Sequence, residues 1–80
     1  MCIEINEIKV NVAHIVAISP VKPQTRLNND WYNLKQIPTG MYCFIVKDCT
    51  GYEYEVVKVD KDSAVKSYEH IVELVNSLSN

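Results

Sequence analysis

The stretch that most restricts the fold of this chain is Met41 to Asp60. An apolar run, Met41-Tyr42-Cys43-Phe44-Ile45-Val46-Lys47, meets Asp48-Cys49-Thr50-Gly51 and resumes as Tyr52-Glu53-Tyr54-Glu55-Val56-Val57-Lys58-Val59. Both limbs are dense in β-branched and aromatic residues, which suit a pleated, half-buried surface. Asp48 can fold its carboxylate onto the turn amides, and Gly51 can take the positive φ that closes a type I turn with a bulge. The stretch therefore predicts a β-hairpin. Folding about the turn sets Val46 opposite Tyr54, Phe44 opposite Val56 and Tyr42 opposite Lys58 on one face. The second face pairs Lys47 with Glu53, Ile45 with Glu55, Cys43 with Val57 and Met41 with Val59. The first face is continuous and apolar and should meet the core. A slip of one residue would turn Phe44 and Val46 outward, so the register is well specified. Two strands do not stand alone in water, so other elements must pack on them.

Upstream, Cys2 to Ile5 alternates, Asn6-Glu7 suits a tight turn, and Ile8, Val10 and Val12 alternate with Lys9 and Asn11. Asn11 to His14 reads as a break, followed by a further strand from Ile15 to Ser19. Pro20 to Gly40 differs in kind. It holds Pro20, Pro23 and Pro38, Asn28, Asn29 and Asn33, and no sustained period, so it reads as one long loop. Leu27, Trp31, Leu34 and Ile37 are spaced for a short helix within it. After the hairpin, Asp60, Asp62 and Ser63 offer N-caps. Ala64, Val65, Tyr68, Ile71, Val72, Val75 and Leu78 then make one helical stripe.

The expected architecture is α+β. A small antiparallel sheet of four to five strands, open or barrel-like, carries one C-terminal amphipathic helix packed across it. At 80 residues the chain should be a single domain, 1–80, with strands in 2–19, a long loop 20–40, a hairpin 41–60 and a helix 62–78. One helix can cover only one face of the sheet. The other must be covered by the N-terminal strands curling over it or by a second copy, so the chain is a monomer or a homodimer.

Chemistry has few footholds. The three cysteines, Cys2, Cys43 and Cys49, show no CxxC spacing and read as reduced thiols of a cytoplasmic protein. Nothing in the sequence joins a cysteine to His14 or His70, so neither a nucleophile–base pair nor a metal site is expected. Glu53 and Glu55 fit one strand face, and Asp60 and Asp62 fit a helix start. No cofactor is implied. Glu4 and Glu7 stand where a signal peptide needs basic and then apolar residues, so no targeting segment is expected. The apolar run from Val12 to Ile18 is too short to span a bilayer.

Charge is unevenly spread. The chain carries −2 overall, but Lys22, Arg26 and Lys35 against Asp30 give +2 between Pro20 and Gly40, leaving −4 elsewhere. The same segment holds the one tryptophan, Trp31, beside Tyr32. Trp and Arg are enriched at binding hot spots, and aromatics beside cations can stack on bases. Lys22, Arg26, Trp31, Tyr32 and Lys35 are thus the candidate partner-binding residues. The rival reading makes Trp31 a lid on the sheet.

Ile3, Ile5-Asn6, the run Val10 to Ile18, and Phe44-Ile45-Val46-Lys47-Asp48 with Gly51 and Tyr54-Glu55-Val56, followed by an amphipathic helix, resemble two groups. One is the small flagellar FlbD-type proteins, with a similar order of strands, glycine turn and helix. The other, more distant, is the LytTR-type DNA-binding domain. Neither resemblance carries a functional residue onto this chain. The best reading is a small regulatory or protein-interaction module of bacterial or phage style, non-enzymatic. The runner-up is a nucleic-acid binder using Lys22, Arg26, Trp31 and Lys35 of the basic, aromatic segment 20–40. A small enzyme using Cys49 or a histidine is a third reading.

Overall fold

The chain is described by a computed structural model over residues 1–30 and 33–79. The expected hairpin forms, and its first strand is far longer than the apolar pattern marks. In chain order the elements are β1 (Cys2–Ile5), β2 (Ile8–Asn11), a 3-10 turn (Val12–His14), β3 (Ile15–Ile18), β4 (Lys22–Asp30), β5 (Asn33–Asp48), β6 (Glu53–Lys58) and α1 (Lys61–Ser79). β5 pairs with β6 in the anticipated register, with Val46 opposite Tyr54, Phe44 opposite Val56 and Tyr42 opposite Lys58. Asp48 closes the turn by accepting from the backbone N–H groups of Thr50 at 2.9 Å and Tyr52 at 3.1 Å. Gly51 takes φ +89°, a region that penalises a side chain.

Phe44 and Val46 are fully buried and sit at the centre of a cluster with Ile5, Val10, Ile15, Val56 and Ile71. The Phe44 ring meets Tyr68 of the helix edge-on, with centroids 5.7 Å apart, a favoured geometry for aromatic quadrupoles. Asp60 caps the helix by accepting from the Ser63 N–H at 2.7 Å. The helical stripe is buried at Ala64 and Ile71, while Tyr68 and Val75 pack against the cluster and Leu78 is exposed.

Strands β3 and β4 lie end to end along one edge of β5, and β6 pairs with its other edge. β1 and β2 form a separate hairpin, closed at Asn6 and Glu7, which both have positive φ. Asn6 Nδ2 donates to the Glu55 carbonyl oxygen at 2.7 Å, tying this hairpin to the outer edge of β6. The break foreseen at Asn11 to His14 is the 3-10 turn, where Asn11 Oδ1 accepts from the Ala13 N–H.

Two expectations are corrected. The N-terminal strands do not curl over the second face of the sheet. Ile5 and Val10 join the cluster on the helix side, so no closed barrel forms among the described residues. The reason is local: the turn at Asn6–Glu7 and the 3-10 turn fold β1–β2 back onto itself before it can extend the sheet. The second correction concerns 20–40, which is not a loop. Lys22–Asp30 and Asn33 onward are paired strands, and Leu27 and Ile37 lie on strands rather than on a short helix. Prolines are tolerated because these strands are edges. Pro23 stands opposite Tyr42, whose peptide groups turn toward Lys58, by the alternation that starts at the Asp48 N–H to Tyr52 carbonyl bond.

Candidate interaction arm

Beyond the core, β4 and the first half of β5 run on as a two-stranded arm. Thr25, Arg26, Leu27 and Asn28 pair with Pro38, Ile37, Gln36 and Lys35. The molecule is accordingly long, 50 × 28 × 21 Å. Its radius of gyration is 14.4 Å, where a compact domain of this length has about 12 Å. Among the described residues no further strand pairs with either edge of the arm.

The base of the arm is fastened by polar contacts. The Ser19 N–H donates to Ile45 O at 2.8 Å, and the Ile45 N–H donates to Ser19 Oγ at 2.7 Å, so the ladder continues past Pro20. Next to it β5 bulges at Thr39-Gly40-Met41, where Gly40 takes φ +83°. The Thr39 hydroxyl points to Gln24 Oε1 at 3.0 Å, and the Met41 N–H donates to Thr39 Oγ1 at 3.2 Å. Gln24 Nε2 in turn donates to Glu55 Oε1 at 3.0 Å, which links β4 to β6 across β5.

Side chains alternate between the two faces of the ribbon. Thr25, Leu27, Gln36 and Pro38 share one face, where Thr25 Oγ1 donates to Gln36 Oε1 at 3.0 Å. Arg26, Asn28, Lys35 and Ile37 share the other. Past the bulge, that second face continues into the second face of the body, through Gln24, Lys22, Cys43, Ile45, Val57, Glu55 and Glu53, where Cys43 is buried and Ile45 and Val57 are half-buried. Arg26, Leu27, Asn28, Lys35 and Gln36 are all exposed, so among the described residues neither face of the arm is covered by another element.

Of the sequence-derived candidates, the structure brings Arg26 and Lys35 together as diagonal neighbours on one face. Lys22 stands apart, at the base, opposite Cys43. Trp31 and Tyr32 lie outside the described residues. The Cys43 thiol is 1% exposed. Burial pushes its pKa up, the Glu55 carboxylate adds to this, and Lys22 opposes it, so this thiol is held protonated and unreactive.

The body offers less chemistry. The Cys49 N–H donates to the His14 carbonyl oxygen at 2.8 Å, so the fold does bring a cysteine and a histidine side by side. No hydrogen bond joins thiol to imidazole among the described residues, and no three His, Cys, Asp or Glu side chains there gather to hold a metal. Tyr54 Oη donates to Asp48 Oδ2 at 3.2 Å. The Thr50 hydroxyl, with backbone and Tyr54 donors, holds the Asp48 carboxyl below its ordinary range. Burial, and then the Asp48 carboxylate, raise the Tyr54 phenol. These contacts lock the turn rather than poise a reaction. A cleft of 360 Å³ opens between β1, β6 and α1, lined by Ile3, Ile5, Val56, Ile71, Lys58 and His70. Sequence reasoning missed this cleft, because it depends on where a separate hairpin lands.

Among the described residues, no helix is long and apolar enough to cross a membrane. No protein-family model, curated protein or solved structure matches this chain.

Proposed function

We propose that the chain is a small cytoplasmic, non-enzymatic regulatory or protein-interaction module that docks through the β4–β5 arm. One observation carries this reading: among the described residues, the arm leaves the core with exposed side chains on both faces and no further strand on either edge. A two-stranded ribbon of this kind is marginally stable by itself in water. A partner that lays a strand along an edge, or a surface across a face, removes that deficit. Arg26 and Lys35 favour a partner surface rich in carboxylates, and Trp31, the one tryptophan of the chain, is the anchor. The likeness to FlbD-type proteins is in keeping with such a module.

A second reading, nucleic-acid binding, is favoured by the same shape. A major groove admits a two-stranded ribbon, and Arg26 and Lys35 share one face. The cation count weighs against it. With Lys22 drawn to the base, two or three phosphate contacts are the ceiling, and the salt slope would be only about −2 to −3.

The test is capture of a partner from the source cell by the intact chain and by two variants. Trp31→Ala should abolish capture with the melting temperature unchanged, and Arg26→Ala should weaken it less while reducing its salt dependence. Loss of several degrees of melting temperature in Trp31→Ala with capture intact would make Trp31 a lid and retire the arm. Gel shifts with DNA and RNA at two salt concentrations decide the second reading. A salt-sensitive shift lost on Lys35→Ala would assign the arm to nucleic acid.

A further inference from the structure

We propose that the cleft between β1, β6 and α1 is a second docking site, and that its occupant is an extended peptide segment of a partner protein, held between two strand edges. The site is separate from the arm and does not depend on the arm's role.

Two walls of the cleft are backbone. Ile3 to Asn6 line one side as consecutive residues, and Val56, Val57 and Lys58 line another. In an antiparallel pair, successive residues turn their peptide groups alternately toward the partner strand and away from it. The Val12 N–H donates to the Met1 carbonyl oxygen at 2.9 Å. By alternation, Ile3 and Ile5 face β2 and Glu4 turns its N–H and C=O outward. The Asp48 N–H donates to the Tyr52 carbonyl oxygen at 3.0 Å. By the same alternation, Val56 and Lys58 face β5, and Glu55 and Val57 turn outward. The bond from Asn6 Nδ2 to the Glu55 carbonyl oxygen agrees with that count. It also ties the two edges together without pairing them, since β1 and β6 share no ladder. Glu4 and Val57 both line the cleft, and among the described residues no strand pairs with either of these edges.

Such a cleft names its occupant. Outward N–H and C=O groups on two walls are met together by a chain in extended conformation, which carries donors and acceptors along both of its edges. A second copy cannot supply one from its described strands, because each of those already has a partner on at least one edge. Charge favours neither sign, since the ionisable residues at the cleft are Glu4, Lys58 and His70. The apolar lining does select. Ile3, Ile5, Val56 and Ile71 contribute to it, so the inward side chains of the peptide, every second one, are apolar. The paired stretch is short, about 10 Å of strand at about 3.3 Å per residue.

The experiment is selection of displayed random heptapeptides on the immobilised whole chain, followed by NMR titration with the enriched sequence made synthetically. Enriched peptides should alternate apolar and polar residues, and should shift the amides of Glu4, Val57, Ser67 and Ile71. Ser67→Phe narrows the cleft from the helix side and should abolish binding with the melting temperature unchanged. An N-methyl scan of the peptide removes one donor at a time and leaves the protein untouched. At least one odd and one even position should each weaken binding at least about tenfold, because both edges are paired. No enrichment over the uncoated support overturns the inference. So does sensitivity to N-methylation at positions of one parity only, which means a single paired edge, or at none, which means a ligand held by the apolar lining alone. Shifts confined to Arg26, Leu27, Gln36 and Ile37 place the peptide on the arm. That outcome overturns the cleft as the site and leaves docking through the arm standing.

Discussion

The two halves of β5 make the most instructive comparison in this molecule. From Tyr42 to Lys47 the strand has neighbours on both edges and a core beneath it, with Phe44 and Val46 at 0% exposure. From Asn33 to Gly40 it has one neighbour and, among the described residues, no layer packed on either face, and Leu27 on the facing strand is 60% exposed. Backbone pairing is common to both. What differs is burial, and burial is the larger source of stability, since a backbone hydrogen bond exchanged with water nets little. One continuous strand therefore joins a region held by packing to a region held by its ladder and a few polar contacts at its base.

The largest effect that sharpens this contrast is in the body. Phe44→Ala should cost about 3–5 kcal/mol and Ile71→Ala about 2–4 kcal/mol in urea unfolding, as buried large-to-small changes do. A loss under about 0.5 kcal/mol at Ile71 would break the packing of the helix on the sheet.

Next comes amide exchange. Protection at Phe44, Val46 and Val56 should report global unfolding, while Arg26, Leu27, Gln36 and Ile37 exchange by local opening and far faster. If protection in the arm rises with protein concentration, the arm is being covered by another copy.

Acid and base should act on the body alone. The carboxyls of Asp48 and Asp60 are held low, chiefly by the Thr50 hydroxyl and by the Ser63 N–H respectively. A depressed folded pKa gives stability that is present above the unfolded value, about 4, and is lost as pH falls below it. The Tyr54 phenol is raised, so its contribution is present below about pH 10 and is lost as pH rises beyond. Melting temperature against pH should show both shoulders, and Asp48→Asn should reduce both, leaving the share of Asp60 on the acid side and the effect of Tyr54 burial on the basic side. The smallest effect belongs to the arm: Leu27→Ala should change stability by under about 0.5 kcal/mol. A larger loss in the monomer would mean that Leu27 packs on something and that the arm is not free.

The sequence by itself determined the parts of the fold in which one face is buried and the other wet. Phe44, Val46, Tyr54 and Val56 alternate because only one side of their hairpin meets the core, and that period yields both the strand and its register. Ile71 and Val75 recur at helical spacing for the same reason, and Asp48-x-x-Gly51 and Asp60 mark turn and cap by local hydrogen bonds. The tertiary structure alone decided the rest. The arm has no buried face, so no hydrophobic period was written into Thr25, Arg26, Leu27 or Gln36, Ile37, Pro38. Its prolines read as breakers until β5 supplied an edge on which they are harmless. The hairpin of β1 and β2 was legible, but not the side of the sheet it would choose, because that depends on turns at Asn6–Glu7 and Val12–His14 acting over a distance. Of the candidate site, the cations were found from charge alone. That Arg26 and Lys35 share a face, and that Glu53 and Glu55 lie on the same face farther along, follows from cross-strand register, which exists only once the chain has folded.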